Sequence, residues 1–565
     1  MIDNLIETEV DGITTLHTAG RSGLVTAGLL FRVGRADETL ATAGITHLTE
    51  HLALHQHGVG DLHYNGSTAD NYTMFHVQGT NDHVVEYMNS VCAALSDLPM
   101  SRMAMEKEVL RTEAAGRHGG PAPELPLWRY GAQGYGLSSY DEIGLNRVNA
   151  DDVERWARTN FTRQNAMLWI TTEQLPQGLS LALPDGVRKD PPPVTSCLPS
   201  TPAWFGGRAD VVYMHSVVPR STAANLAARV LSKALFVDLR QKGGYSYTAT
   251  AEYAPRDHDS ATVVALADCL PDKRDAVVGA FVDCLARLRW GSITEQDVES
   301  AKAAARRDME HDDRSVYLPG VTLNMLLGHP VISHADLRRE IDAVTADDIR
   351  QNIELIHESA LVQVPSLGLD WAGFERAPHH SDFSVAGDYC PGIRGEPSIT
   401  VGKEGVTTHL GGGPVSVRYV DAAVLEVFPD GGRLLIGKDS FMVRIEPTLQ
   451  EVDAGALARV DAAVDPDIVV QMPPRPPSEI PQPAADPAAR VAYPASARFV
   501  LVGLVLGALF FLVGGVSEAS SAANAGESAG GSFGPIVLGL GLLGGAFYQW
   551  HLMRRRLLQE RNGNV

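Results

Sequence analysis

The sequence has few cysteines, few aromatic residues and fewer basic than acidic residues. Five cysteines in 565 residues, none spaced as C-x-x-C, are too sparse for a disulfide scaffold, and we expect reduced, buried thiols. Lys and Arg number 47 against 68 Asp and Glu, which gives a net charge of −21. This balance argues against a nucleic-acid-binding protein, which needs a basic patch. The cysteines are Cys92, Cys197, Cys269, Cys284 and Cys390.

The length of the chain predicts several domains. Hydrophobic periodicity and Pro-rich stretches divide it into six parts. They are two α+β units (1–185 and 205–365), a small β-rich domain (366–470), a Pro/Ala linker (471–497), two apolar runs (498–553) and a basic tail (554–565). The second unit repeats the order of strands and helices of the first, which indicates an internal duplication. The predicted fold class is α+β, with layered sheets and helices.

The sequence H-x-x-E-H at residues 47–51 carries the strongest chemical signal. On a helix, His47 and His51 lie one turn apart on one face, and Glu50 stays on the same side. Two imidazoles with a neighbouring carboxylate suit Zn²⁺, which takes nitrogen and oxygen ligands tetrahedrally. His55 forms a competing pair with His51, and among 19 histidines such a window also arises by chance.

A second segment, residues 103–116, predicts a helix with two carboxylates on one side. Glu106 and Glu113 are seven residues apart, which is two helical turns. A buried pair of carboxylates is costly unless a positive group lies beside it, so a metal site would explain the pair. The alternative is a solvated face on which Glu106 pairs with Lys107 or Arg111.

Together the two segments resemble the pitrilysin/insulinase family of inverted-zincin metallopeptidases. Residues 27–54 resemble its strand, glycine turn and zinc helix, and residues 65–75 resemble its N-A-x-T-x-x-x-x-T-x-[YF] strand. The E-x6-E pattern resembles its third-ligand helix. The chain departs from the family pattern at two points. The stretch between the two segments is shorter than usual, and Gly66 replaces the usual alanine.

The resemblance implies roles for individual residues in a zinc-dependent peptidase. It implies three zinc ligands: His47, His51 and Glu113. It also implies that Glu50 is the general base for the attacking water and that Glu106 supports the site from behind the ligands.

The resemblance extends to the substrate-binding residues. Asn65 and Thr68 would lie on a strand beside which an extended peptide binds. Arg240 and Tyr247 match a family segment that reaches the substrate carbonyl and would stabilise the oxyanion. The alternative for this last pair is that Arg240 caps a helix end and Tyr247 packs in a strand.

In the family, the zinc domain and the Arg/Tyr domain that meet across the cleft belong to different halves of the molecule. This chain carries one half. The resemblance therefore implies a homodimer, or pairing with a related peptidase-like subunit, around a peptide substrate.

Two apolar runs, residues 499–516 and 534–552, approach the roughly 20 residues needed to cross a bilayer. Each contains G-x-x-x-G, which predicts a helical hairpin in contact with membrane lipid. The loop between them has no Lys or Arg and the tail is basic, which predicts that the tail and the catalytic domains face the cytoplasm. The first residues are partly acidic and contain no apolar run, so we expect no signal peptide. A buried soluble helix is the alternative for each run.

These patterns predict a membrane-anchored zinc metalloendopeptidase that hydrolyses unstructured peptides. The alternative is a catalytically silent peptidase-like scaffold or partner subunit, because the family includes members that have lost zinc. A third reading is a peptide-binding membrane adaptor that acts through residues 366–470. The presence of His47, Glu50, His51 and Glu113 together favours the enzyme.

Overall fold

The computed structural model describes residues 5–55, 63–116, 124–291, 293–310, 313–366 and 368–483. They form three units, which we name the first domain (5–183), the second domain (203–377) and the third domain (378–483). The first two have one six-stranded sheet each and the third has two four-stranded sheets. This mixed α+β architecture agrees with the fold class expected from the sequence.

The sheet of the first domain has the order β1-β2-β6-β3-β5-β4, so β4 forms one edge. Along β5, every second side chain is buried beneath the helices, as period-2 alternation requires. The strands are β1 Ile6–Val10, β2 Ile13–His17, β3 Val25–Phe31, β4 His63–Thr68, β5 Thr73–Gly79 and β6 Ala166–Ile170. The helices are α1 Ile45–Leu54, α2 Asn81–Ser96, α3 Met103–Gly116, α4 Glu124–Tyr130 and α5 Ala150–Asn160.

The second sheet has the order β12-β7-β11-β8-β10-β9, and from β7 onward it repeats the pairing pattern of the first: the parallel pair of β7 and β11 is followed by three antiparallel pairs. At its edge β12 pairs with β7 in parallel, whereas β1 and β2 of the first sheet are antiparallel. The strands are β7 Ala203–Gly206, β8 Val211–Pro219, β9 Ala249–Pro255, β10 Ser260–Asp268, β11 Leu361–Val364 and β12 Glu375–Arg376. The helices are α6 Thr222–Leu235, α7 Arg274–Arg289, α8 Glu295–Asp308, α9 Leu318–Leu326, α10 His334–Ala343 and α11 Ala346–Glu358. In this repeat α6 occupies the place of α1.

The first two domains exchange short helices across their interface. Helix α9 of the second domain packs Leu318 and Leu326 against Leu16 and Trp169 on the outer face of the first sheet. In the same way, helix α4 of the first domain packs Leu125 against Phe205 and Leu361 of the second sheet. The exchange buries the second face of each sheet and holds the two domains together.

The third domain packs two small sheets around one apolar core. Its strands are β13 Gly387–Cys390, β14 Ser398–Gly402, β15 Gly405–Leu410, β16 Gly413–Arg418, β17 Ala422–Val427, β18 Arg433–Gly437, β19 Met442–Ile445 and β20 Val469–Gln471, and its helix is α12 Ala454–Ala463. Neighbouring strands of both sheets pair antiparallel, except β17 and β20, which pair in parallel. Helix α12 lies in the chain between β19 and β20 and allows this crossover.

Several sequence-predicted boundaries differ from those in the structure. The single strand expected over residues 65–75 is a hairpin of β4 and β5, because the chain turns between Thr68 and Thr73. Helix α6 ends at Leu235, and the chain continues as a π-helix over Phe236–Lys242. The second unit extends beyond its expected end at residue 365, because β12 (Glu375–Arg376) still pairs with β7.

The predicted Pro/Ala linker begins as part of the third domain. Arg475 donates hydrogen bonds of 2.9 Å to Asp430 Oδ2 and 2.7 Å to Glu446 Oε1. Among the described residues, no helix combines the length and apolar character needed to cross a membrane. The two predicted spans, 499–516 and 534–552, lie outside the described residues. All five cysteines are free thiols, four of them buried, as the sequence predicts.

Candidate metal centre

Helix α1 begins at a glycine and a buried carboxylate. Gly44 precedes the helix with a backbone φ of +96°, a conformation that residues other than glycine rarely adopt. Glu38 accepts hydrogen bonds of 2.8 Å from the backbone N–H groups of Gly44 and Thr46, which satisfies donors that a helix start leaves open. Burial raises the pKa of Glu38 to about 7. This start fixes the direction in which the helix presents its histidines.

Helices α1 and α3 bring the three predicted ligands together. His47 and His51 lie on one face of α1 with perpendicular rings, centroids 4.8 Å apart. Their Nε2 atoms lie 3.9 and 3.5 Å from the two carboxylate oxygens of Glu113 on α3. One ligand atom from each residue can be chosen so that all three lie within 4.8 Å of one another. The two histidines of α1 and the later glutamate of α3 thus converge on one point.

The other ring nitrogen of each histidine faces a second carboxylate. His47 Nδ1 lies 2.9 Å from Glu142 Oε1, and His51 Nδ1 lies 3.5 Å from Glu106 Oε2. An ionised carboxylate only accepts hydrogen bonds, so His47 Nδ1 is the donor in the contact with Glu142. With that proton on Nδ1, His47 Nε2 is the nitrogen left to bind a metal, while Glu106 lies near His51 Nδ1 without a hydrogen bond.

These residues fit a zinc ion. Ligand atoms around tetrahedral zinc, with bonds of about 2.0–2.1 Å, lie about 3.4 Å apart. The observed separations of 3.5 and 3.9 Å between the imidazoles and the Glu113 carboxylate need only a small adjustment. The set supplies two nitrogens and one carboxylate, and leaves a fourth position, as in catalytic zinc sites.

Glu50 lies in the same site but is held by strand β4. Its Oε2 accepts a 2.5 Å hydrogen bond from Thr68 Oγ1, and only 4% of its surface is exposed. Burial raises its pKa above the ordinary value, against the opposing charge interaction with His47. A Cβ built on Gly66 would lie 2.5 Å from Glu50 Oε1. The carboxylate thus fills space that the alanine usual in the family pattern would occupy.

We expect the substitution Gly66→Ala to lower the rate of the peptide hydrolysis predicted from the sequence about 10- to 100-fold, because sub-ångström to 1 Å misplacement of a reacting group costs rate on this scale. Zinc affinity should stay within about twofold, because Gly66 meets the Glu50 side chain and no ligand. The measurement is kcat/KM beside a zinc competition titration.

Gly206→Ala is the matched control, because a Cβ there meets nothing within 4 Å. Full activity in the Gly66→Ala variant would contradict the conclusion that this glycine sets the position of Glu50.

The predicted substrate-binding residues lie on the edge strand β4. Thr68 already bonds to Glu50, and the Asn65 side chain accepts a 3.0 Å hydrogen bond from the Gly66 N–H. Asn65 is exposed, whereas Gly66 is buried against the site. One face of the strand therefore lies against the metal residues. Because β4 is the edge strand among the described residues, its outer edge is not paired with another strand of this sheet.

Arg240 and Tyr247 lie together in the second domain. The Arg240 guanidinium stacks over the Tyr247 ring, 4.7 Å from its centroid, and also over Phe236 at 5.1 Å. Tyr247 is 75% exposed. They line a cavity of about 820 Å³, bordered by α6 and the edge strand β9 and by no residue of the metal cluster. Arg240 lies in the last turn of the π-helix Phe236–Lys242, so the helix-end alternative stays open, whereas Tyr247 lies before β9 and outside any strand.

Sequence reasoning missed Glu142 and Glu38. Glu142 is 95 positions from His47 and has no periodic relation to it. Glu38 lies in a short acidic loop whose contact with α1 depends on the turn at Gly44. The one available signal was the pair of glycines, Gly44 and Gly144, at which the two backbones approach closely.

Comparison with known proteins bears on the fold. A protease from Helicobacter pylori has a TM-score of 0.53 at 15% identity, over 64% of this chain and 98% of its own. The structure of a peptidase M16 inactive domain from Pseudomonas fluorescens has a TM-score of 0.54 at 13% identity. The match covers 65% of this chain and 99% of that chain. The structure described as a putative M16-like peptidase from Alicyclobacillus acidocaldarius has a TM-score of 0.51 at 14% identity. The match covers 64% of this chain and 98% of that chain. The chain has the M16 peptidase fold.

A family model also matches part of the sequence. Residues 203–305 match the model described as "Peptidase M16 inactive domain". With the shared fold, this match supports the relationship to the insulinase peptidases expected from the sequence. No curated protein shows a significant sequence match.

The matched residues lie in the second domain and include helix α6. Helix α6 takes the place that α1 has in the first domain, yet its sequence TAANLAARVLSKAL contains no His, Cys, Asp or Glu. A helix without such side chains offers no metal ligands. The family match itself does not reach residues 47–113.

Proposed function

We propose that this M16-like chain is a zinc-dependent peptidase that hydrolyses unstructured peptides. The observation that carries the proposal is the convergence of His47 Nε2 and His51 Nε2 on the carboxylate of Glu113. A carboxylate, Glu50, is buried beside them without being one of the three candidate ligands. This is the set of groups that metal-assisted hydrolysis requires.

In this mechanism His47, His51 and Glu113 hold the metal. Zinc bound there would lower the pKa of a water molecule toward about 7 and polarise the scissile carbonyl. Glu50 accepts a proton from the attacking water and returns it to the leaving amine, while Thr68 orients the carboxylate. Glu142 accepts a hydrogen bond from His47 Nδ1 and keeps that imidazole in the binding tautomer, and Glu106 lies beside His51.

The test is cleavage of a mixture of unstructured peptides by the purified chain, followed by mass spectrometry. We expect cleavage that 1,10-phenanthroline abolishes and added zinc restores. A folded protein of similar size is the control and should remain intact. Zinc-loaded protein that leaves every peptide intact would refute a peptidase function.

The second candidate is a catalytically silent, peptidase-like scaffold. The family match favours it, since the matched model is described as an inactive domain. The metal cluster favours the enzyme, because a silent domain has no need for two oriented imidazoles opposite a carboxylate. A scaffold would bind peptides with zinc present or removed and would cleave none.

We propose further that a peptide binds along the edge of β4 and that a second subunit completes the site. Arg240 and Tyr247 line a cavity separate from the metal cluster, which fits a role toward a site in another subunit. Mixing a Glu50→Gln subunit with a Tyr247→Phe subunit should restore activity, since each keeps what the other lacks. No rescue in verified mixed dimers would reject the shared site.

Membrane attachment, with the catalytic domains facing the cytoplasm, remains our proposal from the two apolar runs, 499–516 and 534–552. The full chain should stay with membranes after alkaline extraction, and a chain ending at residue 483 should be released. Release of both forms would reject the two spans.

A further inference from the structure

The segment that carries Glu142 is packed directly against the start of the metal-binding helix. Glu142 precedes the short 3-10 helix Ile143–Asn146. A Cβ built on Gly144 would lie 2.3 Å from the Ala43 nitrogen, and one built on Gly44 would lie 2.7 Å from Glu142 Cβ. The two backbones therefore touch, and we name residues 40–44 and 142–146 together the brace segments.

The third domain covers the brace segments with an apolar face. Val424 of β17, Ile436 of β18 and Val470 of β20 form one buried cluster with Leu40 and Ala43. Val424 and Val470 are 0% exposed, and Ile436 is 2% exposed. Removing this cover would expose a continuous apolar surface on both partners.

Polar contacts fix the register of the same interface. The Ala132 N–H donates a 3.0 Å hydrogen bond to the Lys438 carbonyl, in the loop after β18. Asn146 Nδ2 lies 3.6 Å from Met472 Sδ, next to β20. Contacts on both sides of the apolar cluster hold the third domain in one orientation.

Strand β17 is built for two partners. Leu425 faces the core of the third domain, whereas Val424 faces the brace segments, and both are fully buried. A small sheet that functions alone leaves one face in water, with polar side chains on it. The apolar second face of β17 belongs to a permanent contact with the first domain.

We propose that the third domain is a positioning element of the metal site: by bracing residues 40–44 and 142–146 it holds Glu142 against His47 Nδ1. This inference rests on the proposed metal-binding function. It assigns the domain a role inside the site's architecture, in place of the independent docking or adaptor module suggested by the sequence.

Two valines allow a matched test in the full chain. Val424→Ala removes the same atoms as Val443→Ala, and both valines are 0% exposed, but Val443 lies in the third domain's own core. We expect Val424→Ala to weaken zinc binding about 3- to 10-fold and Val443→Ala to leave it unchanged, at similar cost in stability. Zinc affinity is measured by competition with a chromophoric chelator.

Glu142 supplies the second arm. Glu142→Ala should weaken zinc binding about 10- to 100-fold, as losing the partner of a ligating histidine does. Glu142→Gln should weaken zinc binding less than Glu142→Ala, because the amide oxygen can still accept a hydrogen bond from His47 Nδ1. In the double variant with Val424→Ala, the two losses should not add, because both act through one contact.

Hydrogen exchange of the metal-free protein separates this inference from the proposed function. Val424→Ala should speed exchange at residues 45–48 and 143–146 at least fivefold over wild type, and Val443→Ala should not. Zinc binding by wild type with equal behaviour of the two valine variants would overturn the bracing role alone. Failure of wild type to bind zinc would overturn the proposed function, and the exchange result would then decide the bracing role by itself.

Discussion

Replacing Glu50 with glutamine is expected to lower kcat/KM for an unstructured peptide about 10³-fold, within the range that a general base contributes. The amide keeps the size of the side chain and can still accept from Thr68, but it cannot take up a proton. Zinc affinity should change little, because Glu50 is not one of the three residues that converge as ligands. Kinetics and zinc titration of the same preparation measure both effects.

The control for this variant is Glu86→Gln, the same chemical change at an exposed position of α2. It should leave both kcat/KM and zinc affinity unchanged. If Glu50→Gln stayed folded and zinc-loaded and lost less than about tenfold in kcat/KM, another group would have to be the base.

The second large effect is expected at the third ligand. Glu113→Gln should reduce zinc affinity by more than about 100-fold, beyond the 10- to 100-fold loss typical when only an outer partner of a ligand is removed. The amide is a neutral and weaker ligand, and two imidazoles alone hold zinc poorly. Peptide cleavage should fall in parallel and recover in part at high zinc concentration.

A control on the same helix is needed because a chain with a net charge of −21 can also bind cations nonspecifically. Glu108→Gln provides it, since the side chain of Glu108 is 70% exposed and pairs with Arg111. An equal loss of zinc in both variants would mean that the ion is held by general charge rather than by a site.

The local part of the site could be predicted from sequence because it depends on helical spacing. The histidines four residues apart and the glutamates seven apart define faces of α1 and α3. The helix at Met103–Gly116 also has the bounds expected from the sequence. Regular periodicity carries this information within a single element, so no tertiary contact is needed to recover it.

The remainder depends on contacts between distant parts of the chain. The position of Glu142 against His47 follows from tertiary packing of two loops, and the hydrogen bond from Thr68 to Glu50 follows from the turn that splits residues 65–75 into β4 and β5. Neither leaves a periodic pattern in the sequence. The same holds for the third domain, whose apolar second face on β17 is understandable only once the first domain is seen to cover it.

The most direct measurement is X-ray absorption spectroscopy at the zinc edge of the purified, zinc-loaded chain, wild type beside Glu113→Gln. We expect one zinc per chain in wild type, with two imidazole nitrogens and at least one carboxylate oxygen at about 2.0–2.2 Å. The variant should lose the ion or the carboxylate signal. A wild-type spectrum without two imidazoles, or one that Glu113→Gln leaves unchanged, would contradict the assignment of His47, His51 and Glu113 as a metal centre.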